Sequence, residues 1–122
     1  MKEFNQRSLD RLKGVHPLLV KCAQMALERS TIDFEISEGL RSLERQKALY
    51  EAKKSRTMNS YHLVGKAVDV FAIIDGKVDW NLKSYAEINK AFQSAAKELG
   101  IKITWGGSWK SIVDGVHFQI EV

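Results

Sequence analysis

Ser60-Tyr61-His62-Leu63-Val64-Gly65-Lys66, followed by Ala67-Val68-Asp69-Val70-Phe71-Ala72-Ile73-Ile74, is the stretch on which the fold of this chain turns. The first half reads as a loop or turn, where Gly65 supplies a backbone conformation closed to other residues. The second half is apolar and partly β-branched, and its near-continuous hydrophobicity predicts a strand buried on both faces. Asp69 stands in its middle. A carboxylate there is costly unless something compensates its charge, and a metal ion would do so.

A second stretch follows the same logic. Val116-His117-Phe118-Gln119-Ile120 alternates, with Val116, Phe118 and Ile120 on one face and His117 with Gln119 on the other. Asp114 precedes it in Val113-Asp114-Gly115, a loop at the strand's mouth. His62, Asp69 and His117 therefore offer two imidazoles and a carboxylate, with Asp114 as a second carboxylate nearby. Hydrolytic zinc sites need that inventory: three protein ligands, a fourth place for water, and a base to take the water's proton. A chain with three histidines and fifteen acidic residues also offers chance pairings. Hydrogen-bonded core histidines and a strand-end aspartate are the plainer readings, and spacing alone leaves them open.

The rest of the chain supplies a frame. Residues from about Asn5 to Lys13 predict a short helix ended by Gly14. Pro17 opens a second helix to Ser30, with Leu19, Cys22, Ala23 and Ala26 on one face, and His16 is its entry residue. Phe34 to Glu38 alternates as a strand, and Ser42 caps a helix through about Lys53. Asp75-Gly76 is a hairpin signal into Lys77-Val78-Asp79. Ser84 and Glu87 read as a capping box for a helix whose Ile88, Ala91, Phe92, Ala95 and Leu99 share a face, stopped by Gly100. Ile101–Trp105 and Val116–Ile120 complete the strands. The expected class is α+β, a small, mostly antiparallel sheet with flanking helices.

Composition narrows the function. A length of 122 residues predicts a single domain over residues 1–122, with 44% hydrophobic and 28% charged residues as in ordinary globular proteins. No stretch approaches a membrane span and the N-terminus lacks an apolar signal core, so neither membrane insertion nor signal-directed export is expected. The one cysteine, Cys22, rules out an internal disulfide and reads as a small core residue. The net charge of +4 suits attraction to an anionic polymer or a merely solvated surface. Lys53-Lys54-Ser55-Arg56 lacks interleaved aromatics, so no nucleic-acid partner is expected.

Neighbouring residues sharpen the reading. Ser60-x-His62-x-x-Gly65-x-Ala67-x-Asp69, followed by Asp114-x-x-His117-Phe118, resembles the signature of the LAS metallopeptidases, which include lysostaphin-type, D-Ala-D-Ala and hedgehog-like zinc domains. Within them the chain is most similar to the bacterial and phage L-alanyl-D-glutamate peptidases, many of which are endolysins. Gln6 to Leu12, Gly14-Val15-His16-Pro17, Glu38 to Gln46 and Trp105-Gly106-Gly107-Ser108-Trp109 agree, in order and with short gaps. The resemblance implies that His62, Asp69 and His117 ligate Zn2+, that Asp114 activates water, and that Arg41 holds substrate or the developing oxyanion. Ser60, Trp105 and Trp109 are candidate substrate-binding residues; Trp105 and Trp109 flank Gly106-Gly107, either as walls of a groove for an extended peptide or as cover for the core's edge. Ser108 departs from the pattern, standing where similar proteins often carry an acidic residue. Asp114, where many D-Ala-D-Ala relatives have glutamate, leans toward the endopeptidase branch.

The implied activity is zinc-assisted hydrolysis of the L-alanyl-D-glutamate bond in the peptidoglycan stem peptide. The implied setting is a monomer made in the host cytoplasm that reaches the wall through a holin-type lesion. Rival readings are a D-Ala-D-Ala carboxypeptidase, a non-catalytic zinc module, and a glycosidase that would ignore chelators.

Overall fold

The computed structural model describes residues 2–54, 60–110 and 113–122. Helices α1 (Gln6–Arg11) and α2 (Pro17–Arg29) lead into strand β1 (Asp33–Glu38) and helix α3 (Leu43–Glu51). Strands β2 (Ala67–Ile74) and β3 (Lys77–Asp79) form a hairpin ahead of helix α4 (Leu82–Leu99), and β4 (Ile103–Trp105) and β5 (His117–Ile120) finish the chain. The sheet is antiparallel throughout, in the order β1-β2-β5-β4, with β3 added to β2. The α+β expectation holds.

Burial explains the layering. Leu19, Cys22, Ala23 and Ala26 of α2 and Ile88, Phe92 and Ala95 of α4 are fully buried against Val68, Val70 and Ala72 of β2 and Phe118 and Ile120 of β5. Phe92 stacks on Phe118 with ring centroids 4.1 Å apart. The opposite face of β2 is different, because Asp69, Phe71 and Ile73 are only partly covered. The expectation of a strand buried on both faces is corrected here. Both long helices pack on one side, and the other side holds the polar cluster described below.

Local chemistry also moves several boundaries. The first helix stops at Arg11, and a turn through Leu12 reaches Gly14, whose φ is +82°. α3 stops at Glu51 because Lys53 adopts a left-handed φ of +60°. Asn81, not Ser84, caps α4 by accepting from the Lys83 amide, since Ser84 donates its hydroxyl to Asp79. The final strands begin later than the apolar runs. The Ile101 amide is spent on the Ala96 carbonyl, closing α4, so β4 starts at Ile103. Asp75 and Gly76 take positive φ values of +52° and +77°, as a two-residue hairpin turn requires. Trp80 stacks on Tyr85 but is 69% exposed, so it shields little core.

Strand register builds the functional face. In the β2–β5 pairing Asp69 lies opposite His117, and Ala67 opposite Gln119. Cross-strand partners project to the same side of a sheet, so Asp69 and His117 meet without any loop to bring them together. On the other flank, the β1–β2 register slips between Ile36 and Glu38. This irregularity sets Glu38 opposite Asp69 and re-aims its carboxylate toward the same cluster.

Candidate metal centre

His62 comes from a short 3₁₀ turn, Tyr61–Val64, whose first amides are organised by Ser60: its hydroxyl accepts from the His62 N–H at 3.2 Å. Gly65 ends the turn with φ +70°, and a Cβ there would lie 2.3 Å from the Gly14 carbonyl oxygen. The turn thus seats against the α1–α2 connection, burying the His62 ring to 2% exposure. His62 Nδ1 lies 2.8 Å from the Gly39 carbonyl oxygen. A carbonyl can only accept, so Nδ1 carries a hydrogen, and in the neutral ring Nε2 then turns its lone pair toward Asp69 Oδ1 at 3.2 Å.

His117 Nδ1 approaches the same Asp69 Oδ1, also at 3.2 Å, and the two imidazoles stand edge to face with centroids 5.1 Å apart. One donor atom from each of His62, Asp69 and His117 lies within 4.8 Å of the others. A neutral ring's lone pair facing an anionic oxygen is repulsive unless a proton or a metal cation lies between them. The nitrogen and oxygen donors fit a divalent metal cation on that ground. Burial alone would raise the Asp69 pKa, yet hydrogen bonds and positive charge from His117 and His62 hold it well below the usual carboxylate range. Burial opposes charge on His117, and the bond to Asp69 with its negative charge outweighs this and raises its pKa.

Asp114 reaches the cluster from the loop before β5. Its amide donates to the Gly106 carbonyl at 3.0 Å, and its own carbonyl accepts from the His117 amide at 3.1 Å. Gly106 has no room for a side chain, since a Cβ would sit 2.3 Å from the Asp114 carbonyl oxygen. Burial chiefly, then the charge of Asp69, raise the Asp114 pKa against the opposing pull of His117, His62 and Arg41. Its half-buried carboxyl therefore senses Asp69, both histidines and Arg41.

Arg41 runs beside them with its side chain 9% exposed. Its Nη1 donates to Gln46 Oε1 at 2.7 Å, its Nη2 donates to Glu38, and that nitrogen stands 3.8 Å from Asp69 Oδ2. Arg41 Nε is buried without a hydrogen-bond partner. The guanidinium is thus held mainly by protein, a tighter setting than a free substrate clamp. Burial raises the Glu38 pKa, and Arg41, by hydrogen bond and by charge, more than reverses that.

The tryptophans divide. Trp109 lies with its ring centroid 5.2 Å from that of His117, at the margin of the cluster. Trp105 donates its indole N–H to the Gly115 carbonyl at 2.7 Å and packs on the core, so it braces the Asp114 loop. Asp79 spends its carboxylate on Ser84 and the Asn81 amide, which is turn chemistry. His16 caps α2 with Nδ1, as its position before Pro17 suggests. Sequence reasoning gave no site role to Glu38, Gln46, Gln119 or Glu121. Only Gln119 had left a signal, its shared face with His117.

Comparison with known proteins shows the family. A family described as phage L-alanyl-D-glutamate peptidase matches residues 1–119. The L-alanyl-D-glutamate peptidase of Escherichia phage T5 is 38% identical over 124 residues, covering 98% of this chain and 89% of that protein. A peptidase of the same name from a Listeria phage is 42% identical over 93 residues, 75% of this chain and 32% of that longer protein. The crystal structure of the Serratia marcescens L-Ala D-Glu endopeptidase ChiX superposes with a TM-score of 0.92 at 47% identity, covering 97% of this chain and 89% of that one. With register, site and relatives in accord, the chain belongs to the phage L-alanyl-D-glutamate peptidase family.

Proposed function

We propose that this chain is a zinc endopeptidase that cleaves the L-alanyl-D-glutamate bond of the peptidoglycan stem peptide, acting as an endolysin. The observation that carries the reading is the convergence of His62, Asp69 and His117 donors within 4.8 Å, with Asp114 electrostatically coupled to them. His62, Asp69 and His117 hold the ion. Zinc bound there supplies Lewis acidity, easing deprotonation of water near neutral pH and polarising the scissile carbonyl.

The chain's own groups do the rest. Asp114 takes the proton of the attacking water and passes it to the departing D-glutamate amine, and its raised pKa suits a group that must both accept and release a proton. Arg41 contributes fixed positive charge beside Asp69, favouring a developing oxyanion or a substrate carboxylate. Trp109 walls the path of the extended peptide, while Trp105 and Ser60 shape it as brace and cap. The net charge of +4 draws the protein toward anionic wall polymer. No described helix is long and apolar enough to cross a membrane. Synthesis in the host cytoplasm with holin-type release to the wall completes the proposal.

Digestion of purified peptidoglycan, with mass spectrometry of the fragments, tests it. The expected products carry new D-glutamate amino termini and vanish when metal is chelated. Release of terminal D-alanine would indicate a carboxypeptidase, and chelator-resistant release of reducing sugars a glycosidase. Either result would overturn the proposal.

A further inference from the structure

His117 points its second ring nitrogen away from Asp69. Nε2 lies 2.8 Å from Gln119 Oε1, two residues along β5 on the same face of the strand. The Gln119 amide nitrogen in turn lies 3.3 Å from both carboxylate oxygens of Glu121. Glu121 is held from its far side by the Thr104 hydroxyl at 2.8 Å and by a hydrogen bond from Tyr61. The row His117, Gln119, Glu121 thus runs along one face of β5 and just past its end, anchored to β4 through Thr104 and to the His62 turn through Tyr61.

The direction of this row follows from chemistry. An ionised carboxylate only accepts, so Gln119 must turn its NH₂ toward Glu121 and its carbonyl oxygen toward His117. A carbonyl oxygen also only accepts, so the His117 hydrogen belongs on Nε2. In the neutral ring that metal binding requires, Nδ1 is left with its lone pair, facing Asp69. Burial would weaken the Glu121 charge, but bonds from Tyr61, Thr104 and Gln119, with nearby Lys102, keep its pKa below the usual glutamate range. The anchor therefore stays anionic wherever the enzyme works near neutral pH.

We propose that Gln119 and Glu121 are positioning residues which hold His117 in the tautomer that offers Nδ1 to the metal. The proposal rests on reading His62, Asp69 and His117 as a metal centre. Neither residue touches the reacting atoms. His62 obtains the equivalent service from the backbone, through the Gly39 carbonyl, so only the His117 half of the site can be retuned by side-chain substitution. Partners of this kind typically alter metal affinity by about 10- to 100-fold when removed.

Zinc affinity by chelator competition and ¹⁵N-histidine spectra of the zinc-loaded protein test the inference. The wild type should bind zinc through His117 Nδ1 and show a slowly exchanging Nε2 hydrogen. Gln119→Leu should bind zinc about 10- to 100-fold more weakly and lose that slow hydrogen, with the melting temperature of the metal-free protein little changed. Exchanging the two side chains, Gln119→Glu with Glu121→Gln, keeps an acceptor toward His117 and a donor between the pair. Should Gln119→Leu fail to fold, this exchanged variant and the wild-type spectrum still decide. Recovery of affinity to within about threefold of wild type supports the relay. Wild-type binding through Nε2, unchanged affinity and spectrum in Gln119→Leu, or an exchanged variant as weak as Gln119→Leu would overturn it while leaving the metal centre intact. A wild-type protein that takes up no zinc would end both readings.

Discussion

Val68 and Val70 on one face of β2 and Asp69 on the other are neighbours in the chain, yet the two faces are held together differently. Toward α2 and α4 the contacts are mostly apolar, fully buried and insensitive to direction, with few directional bonds such as that from the Ala72 amide to Tyr85. Toward the site every group depends on a named partner: His62 on Gly39, Asp69 on both imidazoles, Arg41 on Glu38 and Gln46. A dispersed packing energy tolerates volume-conserving change, whereas a polar network fails at single atoms. Stability should therefore reside on the helical face and chemistry on the site face, separated by one layer of strand.

The strongest way to break that division is His62→Ala. Loss of one of the three proposed ligands should abolish zinc retention, read by metal analysis, and bring wall digestion to background while the helical face stays folded by circular dichroism. Asp114→Ala comes next. Zinc should be retained and turnover should fall by about 10²- to 10⁴-fold, the usual contribution of a proton-transferring group. Near-full activity in that variant would remove Asp114 from its assigned part.

On the opposite face, Phe92→Ala deletes the ring stacked on Phe118 and should lower unfolding free energy by about 3–5 kcal/mol. Zinc affinity of the folded fraction should change little. A large drop in affinity would show that the Phe118 pair transmits through β5 to His117, and that the faces are coupled after all.

The smallest effect separates the faces by pH. Glu38, on the site face, has a folded pKa below its ordinary value of 4.5. It stabilises the fold above that value, and its contribution disappears as pH falls through the depressed folded pKa. Cys22, on the helical face, has its thiol pushed up by burial from 9.0 to about 12. The unfolded thiol ionises first, so this contribution is full below pH 9.0 and is lost as pH rises toward about 12. Chemical denaturation across pH should accordingly flatten at the acid end in Glu38→Gln and at the alkaline end in Cys22→Ala. Unchanged slopes in either variant would contradict the assignment.

Much of this was legible in the residues. Apolar spacing in Leu19, Cys22, Ala23 and Ala26 and in Ile88, Phe92 and Ala95 located the helical face, because a buried stripe must recur with the helix period. Alternation in Val116 to Ile120 placed His117 and Gln119 on one side, because strand side chains alternate. The Ser84–Glu87 capping box did not form, since Asn81 lay closer to the turn and Asp79 captured the Ser84 hydroxyl. Continuous hydrophobicity in β2 could not tell a doubly covered strand from a singly covered one, because coverage depends on where α2 and α4 pack.

By itself the sequence determined the element types, the apolar stripes and the supply of two imidazoles and two carboxylates near strand ends. These follow from local backbone preference and period. The tertiary structure alone decided that Asp69 would face His117, that the slip in β1 would bring Glu38 alongside, and that Gln119 would lie between His117 and Glu121. Those outcomes depend on strand register and on the direction of hydrogen bonds between residues far apart in the chain, which no local pattern encodes.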